Sequence, residues 1–187
     1  MYEVFHKYYD EVEQPAFERD LDAKDHVILL VTPDDNRIHG FSTLKNTTLE
    51  VDGRTVRGVF SGDTVIEKEY WGQGSLGVAF LKYLFQQKAK APFTPFYWFL
   101  ISKGYKTYLL MANNFFHHYP RFEEETPAFE QAIMDRFAGD MFGSAYDQTR
   151  GLVAFENSKG QLKDGITPIT DEQRAFDRIA FFEKQNP

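Results

Sequence analysis

Apolar residues fall along the chain with two different periods. Val4, Phe5, Tyr8, Tyr9 and Val12 recur at helical spacing, and Pro15 suits the first turn of a second helix carrying Phe17 and Leu21. "HVILLVTP" is a continuous, β-branched run stopped by Pro33, which predicts a buried strand. "RIHGFSTLKNTTLEV" and "RTVRGVFSGDTVIE" read as two long strands, and Asp52-Gly53 between them has the chemistry of a two-residue hairpin. Three adjacent antiparallel strands are expected. Leu76, Phe80, Tyr83, Leu84 and Gln87 then mark one helical face, widened by Ala79, Leu81 and Phe85, so residues 75–90 are expected as a largely buried helix.

The second half changes character. Pro92 and Pro95 bracket a loop, "FYWFLIS" is an aromatic strand, and "YKTYLLMANNFF" has a helical pattern. Pro120 breaks the polar crossing "HHYPRFEEETP". Thr126 and Pro127 suit the N-cap and first position of "PAFEQAIMDRFAG", which carries Phe129, Ile133 and Phe137 and has Gly139 as its stop. "RGLVAFENSKGQLKDGI" suggests a strand and turn. Thr170 with Gln173 forms a capping-box signature for a final helix carrying Phe176, Ile179 and Phe182. Asn186-Pro187 follow that aromatic face directly, the pattern of a chain cut short.

With 187 residues, 42% of them apolar and 17% aromatic, the chain has material for one compact domain. We expect a core over residues 1–120, with residues 121–187 as a mostly helical extension packed on it. A net charge of −7 argues against a broad nucleic-acid surface, so no nucleic-acid partner is expected. The absence of cysteine excludes disulfides, thiolate zinc sites and a cysteine nucleophile. No run approaches the about 18 apolar residues of a membrane span, and "MYEVFHKYYDEVEQ" lacks the basic and apolar regions of a signal peptide. A cytoplasmic location is the default expectation.

Gly72-Gln73-Gly74-Ser75-Leu76-Gly77 satisfies G-x-G-x-x-G letter by letter. A dinucleotide fingerprint also needs an apolar strand abutting the first glycine and an acidic residue about 20 positions on. Here Glu67, Lys68, Glu69, Tyr70 and Trp71 intervene, and "APFTPFYWFLIS" supplies no acid. A long antiparallel hairpin upstream also fits poorly with a parallel doubly wound sheet.

Strand, short polar spacer, glycine loop and amphipathic helix instead resemble the acyl-donor motif of the GNAT acyltransferases, where loop amides and a helix N-terminus hold the pyrophosphate of coenzyme A. Two registers of that motif are open: Trp71-Gly72-Gln73-Gly74-Ser75-Leu76, with Trp in place of the usual Arg or Gln and Leu in place of a small residue, or Gly74-Ser75-Leu76-Gly77-Val78-Ala79. The order of elements over residues 1–110 and the stretch "GFSTL" are also similar to that family. The resemblance implies an α/β (α+β) fold, with a mixed, mainly antiparallel sheet flanked by helices. It implies that Gly72, Gln73, Gly74, Ser75, Leu76 and Gly77 bind the donor pyrophosphate, while Thr64, Val65 and Ile66 bind its pantetheine and "FYWFLIS" splays away to make room. It further implies a tyrosine acid on the next helix, Tyr105 or Tyr108, with Tyr108 set further into that helix.

For a base, Asp63 and Glu67 flank the donor strand, and His117 is a candidate proton shuttle. Each has a plainer reading: tyrosines on an aromatic helix usually fill a core, and strand-end carboxylates usually face water. Adjacent His117 and His118 point apart on any regular element, so no metal is expected. Asn113 and Asn114 either hydrogen-bond substrate or end their helix. Phe93, Phe96, Tyr97, Trp98, Phe99, Phe115, Phe116, Tyr119 and Phe122 are expected mostly in the core, the surplus lining an apolar tunnel.

The expected activity is N-acyl transfer, acetyl or longer, from acyl-CoA (acetyl-CoA) or an acyl carrier protein to the amine of a small molecule or a protein. The alternatives are a catalytically degenerate ligand-binding protein of the same shape and a dinucleotide oxidoreductase.

Overall fold

A computed structural model describes residues 1–155, 161–162 and 169–186. The chain divides into two compact units, the first holding Met1–Leu100 and the second beginning at Ile101. The sequence had suggested a boundary at 120/121. The division falls earlier because α4 (Tyr105–Asn114) packs with the last helix, α7 (Asp177–Gln185).

In the first unit, α1 (Tyr2–His6) is shorter than its apolar pattern suggests: a short extended pair, β1 (Tyr9–Asp10), and Glu11 at φ +60° interrupt it before α2 (Gln14–Asp22). The sheet runs in the order β2 (His26–Val31), β3 (Ile38–Val51), β4 (Arg54–Ile66), β5 (Phe96–Leu100). The first three strands are antiparallel and β5 joins β4 in parallel. Asp52 at φ +48° and Gly53 at φ +71° close the β3–β4 hairpin, since both positive angles match the right-handed twist of the strands they join.

Side chains alternate across the sheet, which separates its faces. Phe41 and Val65 pack with Val4 and Phe5 of α1 and Phe17 of α2. On the opposite face, Tyr83 of α3 (Ser75–Ala89) donates to Asn46 Oδ1 at 2.9 Å, and Phe80 lies 4.8 Å from Trp98 between ring centroids. This is the mainly antiparallel, helix-flanked sheet that the resemblance implies.

Three expectations of burial fail. Among the described residues β2 is an edge strand pairing only with β3, and Leu29 is 46% exposed on it, so a continuous apolar run does not mark a buried strand here. Helix α3 buries the predicted face at Leu76, Leu84 and Gln87, but Leu81 and Phe85, expected to widen it, are exposed. Of the nine aromatics expected mostly in the core, only Phe99 is fully buried, whereas Phe93 and Phe116 stand almost wholly in solvent.

In the second unit, Tyr105, Tyr108 and Ala112 of α4 pack against Ile179 and Phe182 of α7. Helix α5 (Ala128–Phe142) has Pro127 at its N-cap position, where Thr126 was expected, with no side-chain capping bond, and runs through Gly139 to end at Gly143 with φ +53°. A short hairpin, β6 (Tyr146–Asp147) with β7 (Leu152–Val153), follows it. The capping box forms as read: Thr170 Oγ1 accepts from the Gln173 N–H and Gln173 Oε1 accepts from the Thr170 N–H, opening α6 (Asp171–Arg174). Most of the strand and turn expected after Phe155 lies outside the described residues. Among the described residues, no helix is long and apolar enough to cross a membrane.

Candidate functional site: a split strand and a glycine loop

The β3–β4 register changes in the middle of the sheet. Ser42 faces Thr64 while Leu44 faces Ser61, so Gly62 and Asp63 together oppose Thr43. This is a β-bulge, which bends its strand and raises the local twist. A Cβ on Gly62 would lie 2.7 Å from Thr43 Oγ1, so the bulge closes only around a residue without a side chain. The β4–β5 ladder, from Arg57 and Phe96 to Ser61 and Leu100, stops where the bulge begins. Among the described residues of this unit β4 therefore continues to Ile66 with no strand along that edge.

The direction of the backbone groups on this tail follows from one bond. The Glu67 N–H donates to His39 O at 2.8 Å across to β3, so alternation turns the peptide groups of Val65 toward β3 and those of Thr64 and Ile66 toward the open edge. The three residues expected to meet pantetheine thus contribute unequally. Thr64 and Ile66 offer main-chain groups, while Val65 is buried in the core. One of these groups is already engaged: the Trp71 indole Nε1–H donates to Ile66 O at 2.7 Å.

The spacer makes one turn of 3-10 helix, Lys68–Tyr70, anchored where the Lys68 N–H donates to Tyr8 Oη at 2.9 Å. Gly72 and Gly74 follow at φ +81° and +73°, a left-handed backbone that L side chains rarely adopt. Gly74 is the N-cap of the 15-residue α3 and has no side chain to cap it. The first amides of the helix, those of Ser75, Leu76 and Gly77, therefore keep the unsatisfied donors and partial positive charge of a helix N-terminus. Leu76, bulky where the resembling motif has a small residue, is only 6% exposed, so its side chain packs inward and does not cover these amides.

At the base of this loop lies a chain of alternating charges that sequence reading missed. Glu67 is ion-paired with Lys7 through Oε1 and bonded through Oε2 to His39 Nδ1 at 2.6 Å; His39 Nε2 in turn lies 3.0 Å from Asp35 Oδ2. A neutral imidazole has a single N–H and donates to one carboxylate only, so carboxylates on both nitrogens assign His39 as imidazolium. Its pKa is accordingly raised, first by the hydrogen bond to Glu67. Glu67 is held below the usual carboxylate range by Lys7 and then His39, and Asp35 is lowered to about 2, chiefly by the Thr32 hydroxyl and the Arg37 N–H. Of its four members only Asp35 and His39 are near in sequence, and no local spacing connects them to Lys7 and Glu67.

The first unit thus brings Asp63, Thr64, Val65, Ile66 and Glu67 together with the glycine loop. Asp63 sits on the bulge, where its charge adds to burial in raising the pKa of Tyr9, whose ring stacks on Phe5 at 4.5 Å. Both Glu67 oxygens are engaged, by Lys7 and by His39.

Tyr105 and Tyr108 belong to the core of the second unit. Tyr105 Oη accepts from Gln173 Nε2 at 2.9 Å, and Tyr108 Oη donates to Pro120 O at 3.4 Å, its pKa raised mainly by burial. His117 is exposed, edge-on to Phe116, while His118 is buried with Nδ1 3.1 Å from Phe115 O.

No protein-family model matches the chain, and no curated protein matches its sequence. Solved structures similar to it include a mutant of the BH1408 protein from Bacillus halodurans, at 13% identity and a TM-score of 0.47 over 62% of this chain and 74% of that one. An aminoglycoside 6'-N-acetyltransferase from Acinetobacter haemolyticus is similar at 12% identity and a TM-score of 0.45, over 67% and 88% of the two chains. AtaT, complexed with acetyl-methionyl-tRNAfMet, is similar at 13% identity and a TM-score of 0.40, over 56% and 75%. The case for a donor site is carried by the strand and loop geometry above.

Proposed function

We propose that the protein is an N-acyltransferase of the GNAT kind, using acyl-CoA or an acyl carrier protein as donor and an amine as acceptor. The observation that carries this reading is the sequence of features on one strand: a bulge that ends the β4–β5 ladder, an open main-chain edge at Thr64 and Ile66, and an uncapped helix N-terminus behind two left-handed glycines. An extended pantetheine adds to an open edge as a further strand would. The amides at the start of α3 take the pyrophosphate, where oriented N–H groups and the helix dipole favour an anion.

The residues at hand divide the remaining work. Asp63, on the bulge beside that edge, takes a proton from the attacking ammonium, directly or through water. Glu67 holds the loop in place through Lys7 and His39. Tyr108 or Tyr105 supplies the proton to the leaving thiolate and His117 serves as shuttle, roles that turnover measurements on single variants separate. A degenerate, ligand-binding version of the same protein is the second reading. It is favoured by Tyr105 and Tyr108 lying in a core and by Glu67 having both oxygens occupied. The dinucleotide reading has a parallel β4–β5 pair, but the 3-10 turn Lys68–Tyr70 and Trp71 separate β4 from the first glycine, where that fingerprint needs the strand to abut it.

Calorimetric titration with coenzyme A, acetyl-CoA and NAD, together with thiol release in the presence of small amines, an amine-bearing peptide and an aminoacyl-tRNA, separates the three. Saturable coenzyme A binding with thiol release on one acceptor is expected. Binding without release selects the ligand-binding reading, and no saturable heat with any coenzyme A species would sink the proposal. Gly74→Glu, which puts a side chain at φ +73° and a negative charge at the cradle, should abolish donor binding.

A further inference from the structure

Where α4 ends, the second unit has a cavity of about 350 Å³. Two guanidinium groups reach it from separate segments, Arg121 from the loop after Pro120 and Arg178 from the start of α7. Glu123 holds both: Arg121 Nε donates to its Oε2 at 3.1 Å, and Arg178 Nη2 lies 3.5 Å from its Oε1. Arg178 Nη1 also donates to Asn113 Oδ1 at 2.6 Å. Glu124, half exposed, also lies 3.5 Å from Arg121 Nη1 through its Oε1. Asn113, its oxygen taken, turns to the cavity with only its Nδ2 donors uncommitted. Phe115 and Phe116 line its mouth, Phe116 with most of its surface in solvent. His118 lines the cavity too, and its Nε2 is buried without a hydrogen-bond partner among the described residues.

We propose that this cavity binds a small organic carboxylate carried on a flat apolar body. A guanidinium is a planar fork that matches the two oxygens of a carboxylate, and two of them converge here beside an amide donor. Glu123 already orders both long side chains, so a ligand does not bear the full entropy of immobilising them. The two phenylalanines give an apolar body a surface to rest on, which an inorganic oxyanion does not use. The site lies wholly within the second unit and does not depend on the acyl-transfer reading.

The test is titration of the full chain with sodium benzoate at constant ionic strength. The reporters are the backbone and side-chain N–H resonances of Asn113 and Arg178, with inorganic phosphate and benzylamine as comparison probes. Saturable benzoate shifts at those residues are expected, with phosphate binding about tenfold more weakly and benzylamine not at all. Arg178→Gln and Arg121→Gln should each weaken benzoate by about tenfold, the loss of one charge-assisted contact. Arg136→Gln, which alters an exposed pair with Asp140 on α5, should leave it unchanged. Should an arginine variant unfold, Asn113→Asp, which sets a carboxylate on an exposed residue beside Arg178, should expel benzoate from a folded protein. Absence of saturation, phosphate binding as tightly as benzoate, or benzoate binding indifferent to Arg178 and Asn113 overturns the proposal.

Discussion

Replacing Gly77 by alanine separates the stability of α3 from its use as an anion cradle. Gly77 lies in the first turn of that helix, and a Cβ there meets nothing within 4 Å outside the helix's own backbone. Glycine costs a helix about 1 kcal/mol relative to alanine, and somewhat less near an end, so Gly77→Ala should stabilise by about 0.5–1 kcal/mol. For a chain of this size that raises the melting temperature by about 1–4 °C. Donor affinity should move the other way. Phosphate oxygens bonded to these amides sit about 2.9 Å from the nitrogens, and a methyl group projecting about 1.5 Å from the Cα intrudes on that surface. Displacing one charge-assisted bond, worth about 1.5–3 kcal/mol, weakens coenzyme A at least about tenfold. Thermal unfolding and calorimetric titration of the same preparation read both quantities. A higher melting temperature with unchanged affinity would refute the cradle, and a lower melting temperature would refute the helix-start geometry itself.

Trp71→Phe frees Ile66 O on the open edge; if pantetheine competes for that acceptor, coenzyme A should bind up to about tenfold more tightly, the net worth of one neutral hydrogen bond, and weaker calorimetric affinity would instead make the indole a donor contact. Tyr108→Phe removes only a long bond to Pro120 O, so melting and donor binding should hardly change while thiol release slows; an unchanged turnover number removes Tyr108 from the mechanism. The charge chain predicts opposite pH limbs for stability. His39, its pKa raised, contributes fully below about 6.5 and loses that contribution as pH rises through its folded value, whereas Glu67 and Asp35, both lowered, contribute above about 4 and lose it as pH falls. His39→Gln should therefore flatten the alkaline limb of the melting temperature against pH relative to the parent, with Lys7, Asp35, Glu67 and the Tyr70 ring as the groups facing it; an identical limb in both proteins contradicts the assignment.

Local chemistry was legible where the cause is local. Asp52-Gly53, the Thr170/Gln173 capping box and the glycines before α3 are each recognised within a few residues, because turn angles and caps are set by neighbours. Burial was not, because it depends on what lies across the sheet: "HVILLV" reads the same on an edge as in a centre, and Leu81 and Phe85 fit a helical stripe that nothing covers. The candidate site was half legible. The strand and loop could be placed, whereas the bulge at Gly62-Asp63 arises from pairing with β3, and the link from Lys7 to Glu67, His39 and Asp35 exists only once three segments meet.

The bond from Trp71 to Ile66 O has a practical side. The chain has two tryptophans, and the other, Trp98, is held within the sheet with its Nε1–H donating to Ser61 Oγ at 2.8 Å. Trp71 is half exposed and tied to the very edge a donor would use. Any molecule that takes that carbonyl must release an indole into water or onto itself, which shifts and quenches its emission. The protein thereby carries an intrinsic optical gauge of its own open strand, readable without a label.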